Sequence, residues 1–262
     1  MTTLDYLGHI RTESQRFLAV LGDVDPRAHV PSCPDWDAED LLWHLAEVQW
    51  FWASVVEGRL QHVDGVEGPD RPADRERLLS FMAEQSDRLV TVLGAADPTE
   101  QVYMWAEDKA VGYIRRRQAH EALIHRLDAE LAAGTVTPLD PALASDGVHE
   151  TLAVMFGGCP PWGTFTPSGT QVEVVAEDTG LVVPVALGRF TGTDPASGTA
   201  YDEPDVSVSA ADPTAPAHAT VRGTADDLDA WLWHRRNDSL LHKDGDPGVL
   251  AAFTAVLAQP LT

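Results

Sequence analysis

From Lys109 to Ala133 the chain runs without a proline, and Ile114, Gln118, Glu121, His125 and Asp128 follow steps of four, three, four and three. Such steps put side chains in one line up a helix. The adjacent line, His120, Ile124, Leu127 and Leu131, is mostly apolar. The segment therefore reads as a long helix that stops at Gly134. Its core-facing stripe is bordered by a polar line with Glu and His at i and i+4. A helix of this kind needs neighbours that cover the apolar stripe and meet the polar one.

The neighbours precede it. Leu4 to Leu21 has Leu7, Ile10, Phe17, Leu18 and Leu21 near helical spacing and ends at Gly22. Asp37 is an N-cap for a second helix, with Glu39 and Asp40 suited to its positive first turn. That helix runs to about Glu57 and carries the stripe Leu41, Leu45, Val48, Trp52, Val55. A third spans about Ala73 to Leu93. Ala95 to Glu107, interrupted by Pro98 and by aromatic residues, reads as no regular element. Four helices joined this way predict an up-and-down bundle over residues 1–140.

Thr135 to Pro141 reads as a linker, and the period then changes. A helix over Ala142 to Met155 is followed by strand-like runs at Thr170 to Ala176, Leu181 to Arg189 and Asp205 to Ala210, with a fourth at Ala217 to Gly223. Ala225 to Arg236 and Pro247 to Leu257 read as closing helices. Residues 141–262 thus predict a small α+β domain, and the whole chain an α+β protein. Its 262 residues suffice for two ordinary domains.

Eighteen Lys and Arg against 41 Asp and Glu leave a net charge of −23, shared by both halves. A surface of that sign excludes nonspecific binding to nucleic acid or to an anionic membrane. Cys33 and Cys159 lie too far apart in sequence for a Cys-x-x-Cys metal or redox pair. The longest apolar stretch, Leu41 to Val56, is broken by His44, Glu47 and Gln49. Charges at Asp5, Arg11, Glu13 and Arg16 do not fit a signal peptide. The expectation is a cytoplasmic protein with reduced thiols and small-molecule partners.

His44 lies three residues after Leu41 and four before Val48, within the apolar stripe of the second helix, so its imidazole points into the bundle. With Glu121 and His125 it completes a two-His, one-carboxylate set that suits Zn²⁺, Fe²⁺ or Ni²⁺ with positions left open. The same spacings also describe a hydrogen-bonded core histidine and a solvated Glu/His pair. Gln118 and Asp128 are either partners that orient such ligands or ordinary polar residues. Arg115-Arg116-Arg117 reads as a solvated helix face, and Cys33 as a packed thiol at a loop–helix junction. No phosphate-loop, nucleophile-elbow or dinucleotide fingerprint is present.

Cys33-Pro34-Asp35-Trp36 leads into Asp40-Leu41-Leu42-Trp43-His44-Leu45. Later come His120-Glu121-Ala122-Leu123-Ile124-His125-Arg126-Leu127-Asp128 and Trp231-Leu232-Trp233-His234-Arg235. In this order the segments resemble the mycothiol-dependent maleylpyruvate isomerase family, whose N-terminal domain is a DinB-like metal-binding four-helix bundle and whose fold implies a small α/β C-terminal domain over residues 141–262. The resemblance implies metal ligands at His44, Glu121 and His125, a divalent metal (zinc first, iron or nickel next) and mycothiol as thiol cosubstrate. It also implies a catalytic arginine at Arg235, where this chain has His234 in place of the family's usual glycine and a second arginine, Arg236, after it. The implied function is cis–trans isomerisation of a maleylpyruvate-type substrate. An S-transferase acting on another electrophile and a non-catalytic metal- or ligand-binding regulator are the alternatives.

Overall fold

The structure, a computed structural model, describes residues 4–259 and 261. The chain divides into two compact units, Met1–Leu139 and Asp140–Thr262.

The first unit holds four helices: α1 (Tyr6–Asp23), α2 (Ala38–Glu57), α3 (Arg75–Ala95) and α4 (Val111–Ala133). Aspartates start three of them. Asp5 and Asp74 each accept from a backbone N–H three residues on, and Asp37 forms a reciprocal capping box with Asp40. Gly134 ends α4 in the left-handed region at φ 71°, which a glycine adopts without steric cost. Helix α1 packs on α4 and α3, and α2 on α3 and α4, while α1 meets α2, and α3 meets α4, hardly at all. Phe17, Leu21, Leu41, Leu42, Leu45, Leu78 and Met82 fill the space between them.

Of the 23 residues of α4, sixteen are buried, among them Arg117, Gln118, His120, His125, Arg126, Asp128 and Glu130. A helix buried nearly all round must find partners for its polar groups inside the unit. Arg126 does so by donating to Glu13 of α1 at 2.8 Å, to Glu130 at 3.0 Å and to Thr137 beyond the helix. The basic run is therefore not the solvated face that its sequence suggests. Arg115 caps the end of α3 by donating to the carbonyls of Leu93 and Ala96, and Arg117 is buried.

In the second unit α5 (Pro141–Glu150) continues as a π-helical turn, Thr151–Phe156. A five-stranded sheet follows in the order β3-β2-β1-β4-β5, with β1 Gly163–Ala176, β2 Leu181–Thr193, β3 Ala200–Ser207, β4 Ala219–Gly223 and β5 His242–Gly245. Among the described residues only β1 and β4 pair in parallel. Strand β1 starts at Gly163, ahead of the expected Thr170, because the breaker Pro167-Ser168-Gly169 is absorbed as a register shift against β2. Strand β5 has no alternating apolar pattern. Its sequence His-Lys-Asp-Gly is that of a short edge. The other edge, β3, carries Asp202, Glu203, Pro204 and Asp205 in succession.

Helix α6 (Ala225–Leu232) is shorter than its sequence suggests, and α7 spans Pro247–Leu257. After Trp233, His234 turns left-handed at φ 61°, and the N–H groups of Arg235 and Arg236 both donate to the carbonyl of Ala230. Arg235 therefore does not lie on the helical line of Leu228 and Trp231. Its helix has already ended. Among the described residues no helix is long and apolar enough to cross a membrane.

Candidate metal centre

His44 comes from α2, and Glu121 and His125 come from successive turns of α4. One potential ligand atom from each lies within 4.8 Å of the other two. Glu121 Oε1 is 3.1 Å from His125 Nε2 and 3.5 Å from His44 Nε2. The two imidazoles meet edge to face, 4.8 Å between centroids at 75°. Side-chain exposure falls from 32% at His44 through 19% at Glu121 to 9% at His125, so the cluster is deep on one side and open on the other.

Each of the three residues is held from behind. Arg117 donates to Glu121 Oε2 at 3.0 Å, which leaves Oε1 facing both histidines. Asp128 Oδ2 takes His125 Nδ1 at 2.9 Å, which leaves Nε2 facing Glu121. The ring of Trp36 lies 4.7 Å from that of His44. Trp36 belongs to the loop between α1 and α2, and Ser32 of the same loop donates to Asp128 Oδ1 at 2.5 Å.

These contacts set the local charges. Burial pushes the Glu121 carboxyl up, but His125, His44 and Arg117 outweigh it and hold the group well below the ordinary carboxylate range. Burial likewise lowers His125, but Glu121 and Asp128 overcome it and raise the imidazole to about 9. The set is a concentrated electronegative pocket that a cation of either kind, proton or metal, would neutralise.

Of the residues weighed as orienting partners, Asp128 touches the cluster. Gln118 is buried, and its Oε1 has no hydrogen-bond partner among the described residues. Arg117, read from sequence as solvated, holds a ligand candidate. Its position four residues before Glu121 was the available signal. Ser32 had no sequence signal at all.

Arg235 lies in the second unit, on an open cavity of about 460 Å³ that Trp231, His234 and Arg236 also line. Its Nη1 donates to the carbonyl of Trp233 at 2.6 Å. Arg236 is held by Asp227 at 2.5 Å and by Asp226 at 3.4 Å. His234 is secured by its Nε2 at 2.6 Å from the carbonyl of Leu257.

Residues 7–130 match the family described as the mycothiol maleylpyruvate isomerase N-terminal domain. No curated protein matches the chain. Two crystal structures resemble it with a TM-score of 0.56, each over 92% of both chains: mycothiol-dependent maleylpyruvate isomerase, at 13% identity, and a histidine-to-alanine mutant of a mycothiol-dependent maleylpyruvate isomerase, at 12%. At such identity the likeness is one of fold.

Proposed function

We propose that this chain, whose residues 7–130 belong to the mycothiol maleylpyruvate isomerase N-terminal domain family, is a metal- and mycothiol-dependent enzyme that turns the cis double bond of a maleylpyruvate-type substrate to trans. The observation that carries the reading is the convergence of His44, Glu121 and His125. Two donors bonded at about 2.1 Å to one ion stand roughly 3.0–3.4 Å apart at octahedral or tetrahedral angles. Glu121 stands 3.1 and 3.5 Å from the two histidines, close to that spacing, and all three ligand atoms lie within 4.8 Å of one another, so a small inward shift of the imidazoles would let them share one ion. Imidazole with carboxylate is a donor set suited to zinc, with iron or nickel next.

A divalent ion held there would lower the pKa of a thiol and keep its sulfur as the nucleophilic thiolate. The residues of the chain do the orienting. Arg117 and Asp128 fix Glu121 and His125, and His44, the most exposed of the three, marks the side from which a thiol would approach. Arg235 is assigned to a substrate carboxylate, which its planar guanidinium grips through two hydrogen bonds, and to the enolate charge that develops as sulfur adds. Addition turns the double bond single, rotation follows, and elimination returns the thiol. No oxidant or reductant is consumed.

The 12–13% identity to the solved isomerases favours keeping a second reading, an S-transferase in which addition is not followed by elimination. One assay separates the two. Zinc-loaded protein is given maleylpyruvate with and without mycothiol. Formation of the trans isomer only with the thiol, at constant thiol concentration, supports the isomerase. Thiol consumption without isomer supports the transferase. Full turnover with no added thiol overturns both and points to Cys33 or Cys159. With mycothiol present, Cys33→Ser should retain activity.

A further inference from the structure

We propose that Ser32 is a positioning residue of the metal centre, acting through Asp128 on His125. The inference rests on the metal reading above. Ser32 sits on the loop between α1 and α2, 96 residues from Asp128 in sequence, yet its Oγ is 2.5 Å from Asp128 Oδ1. The opposite oxygen, Oδ2, is 2.9 Å from His125 Nδ1. A carboxylate that takes an Nδ1–H leaves Nε2 as the lone-pair donor and fixes the direction in which the ring presents it. One such contact still lets the carboxylate plane turn. A donor on the other oxygen opposes that rotation, and Ser32 supplies one. Asp128 is wholly buried, which makes a short charge-assisted bond there stronger than one at the surface.

The loop is built to hold its position. The carbonyl of Trp36 accepts from the N–H of Val30 at 3.1 Å, and Cys33 and Trp36 close successive turns on Val30 and Cys33. Val30 is fully buried and belongs to the bundle core. From this anchored loop Ser32 reaches the support of His125, while Trp36 covers His44. One short segment thus braces histidines that come from two different helices.

The test uses full-length protein, Zn²⁺ affinity by chelator competition, the visible spectrum of the Co²⁺-substituted protein and the melting temperature of the metal-free protein. Ser32→Ala should weaken Zn²⁺ binding about tenfold and shift the Co²⁺ bands, and Ser32→Thr should restore both. In an Asp128→Asn background Ser32→Ala should cost nothing further, because Ser32 acts only through Asp128. Unchanged affinity and spectrum in Ser32→Ala would overturn the inference, as would a lowered melting temperature with unaltered metal binding. An equal loss in both backgrounds would break the proposed link through Asp128. Glu121→Gln is the control for the underlying reading. If wild type binds no Zn²⁺, or Glu121→Gln binds it as tightly, the metal centre itself fails. If wild type binds and Glu121→Gln does not, a silent Ser32→Ala sinks only the inference about Ser32.

Discussion

Arg117 Nη2 stands 3.0 Å from Glu121 Oε2, one helical turn away on α4, and this contact leaves Glu121 Oε1 as the oxygen that both histidines share. The guanidinium is almost wholly buried, so its position is set by packing as well as by charge. A buried arginine is a fixed template for a carboxylate in a way that a surface lysine is not.

Glu121→Gln keeps the shape of the side chain and removes its charge. Metal content after gel filtration should fall at least tenfold, and turnover should be lost, while the far-ultraviolet circular dichroism stays that of a helical bundle. Arg117→Gln should weaken metal binding about tenfold through the loss of orientation alone. Elemental analysis of the purified variants checks both. Full metal occupancy in Glu121→Gln would remove this carboxylate from the site.

Arg235→Lys retains the charge and loses the planar fork. It should lower kcat/KM by at least tenfold with metal content unchanged. A loss confined to kcat places the contact on the developing enolate, whereas a loss confined to KM places it on the ground-state carboxylate. Wild-type kinetics in Arg235→Ala would shift attention to Arg236.

Arg126 is buried between Glu13 and Glu130, which are themselves buried. Arg126→Met removes the only guanidinium bonded to Glu13 among the hydrogen bonds described and leaves its carboxylate uncompensated. Glu130 keeps Arg16 and Thr137. Urea denaturation should show a loss of about 3 kcal/mol, the size expected when one partner of a buried pair is removed. A change below about 1 kcal/mol would mean that water reaches Glu13 in the variant and replaces the guanidinium.

Asp205 on β3 is pushed up from 3.8 to about 6, first by burial and then by Glu203, against the opposing N–H of Val206. Below pH 3.8 the carboxyl is protonated in both folded and unfolded chains. Between about 4 and 6 the folded chain holds a proton that the unfolded chain has lost, so stability falls as pH rises through that window and stays lower above it. Asp205→Asn should flatten this slope and stabilise the protein at pH 7 by about 1–2 kcal/mol, after allowance for partial exposure. Denaturation midpoints at pH 4.5 and 7 measure it. A variant that is no more stable than wild type at pH 7 would show that water reaches the group freely.

The helices were legible because their signals are local. Asp37, Asp40 and Gly134 mark ends that the backbone respects, and the line from Ile114 to Asp128 contains the two residues of α4 that meet His44 of α2. His44, Glu121 and His125 could be singled out because side chains on helical lines converge only where two such lines face each other. Ser32 and Trp36 act from a loop with no period, so nothing in their spacing ties them to residues of α4. The burial of Arg117 is not legible in the sequence because burial of α4 on nearly every side is a tertiary fact, and a run of three arginines looks alike on a wet face and a dry one. Strand β5 and the true end of α6 were missed for related reasons. An edge strand needs no alternation, and a left-handed histidine carries no glycine to announce it.

The acidic edge strand β3 bears on how copies of this protein behave when crowded. A free strand edge invites the same edge of another molecule to pair with it. Here Asp202, Glu203 and Asp205 would be brought against their own counterparts, and Pro204 has no N–H to offer. At the far side of the sheet β5 is only four residues long. Two molecules that approach edge to edge therefore meet electrostatic refusal at one margin and too short a ladder at the other. The open sheet can stay open at high concentration without seeding fibres.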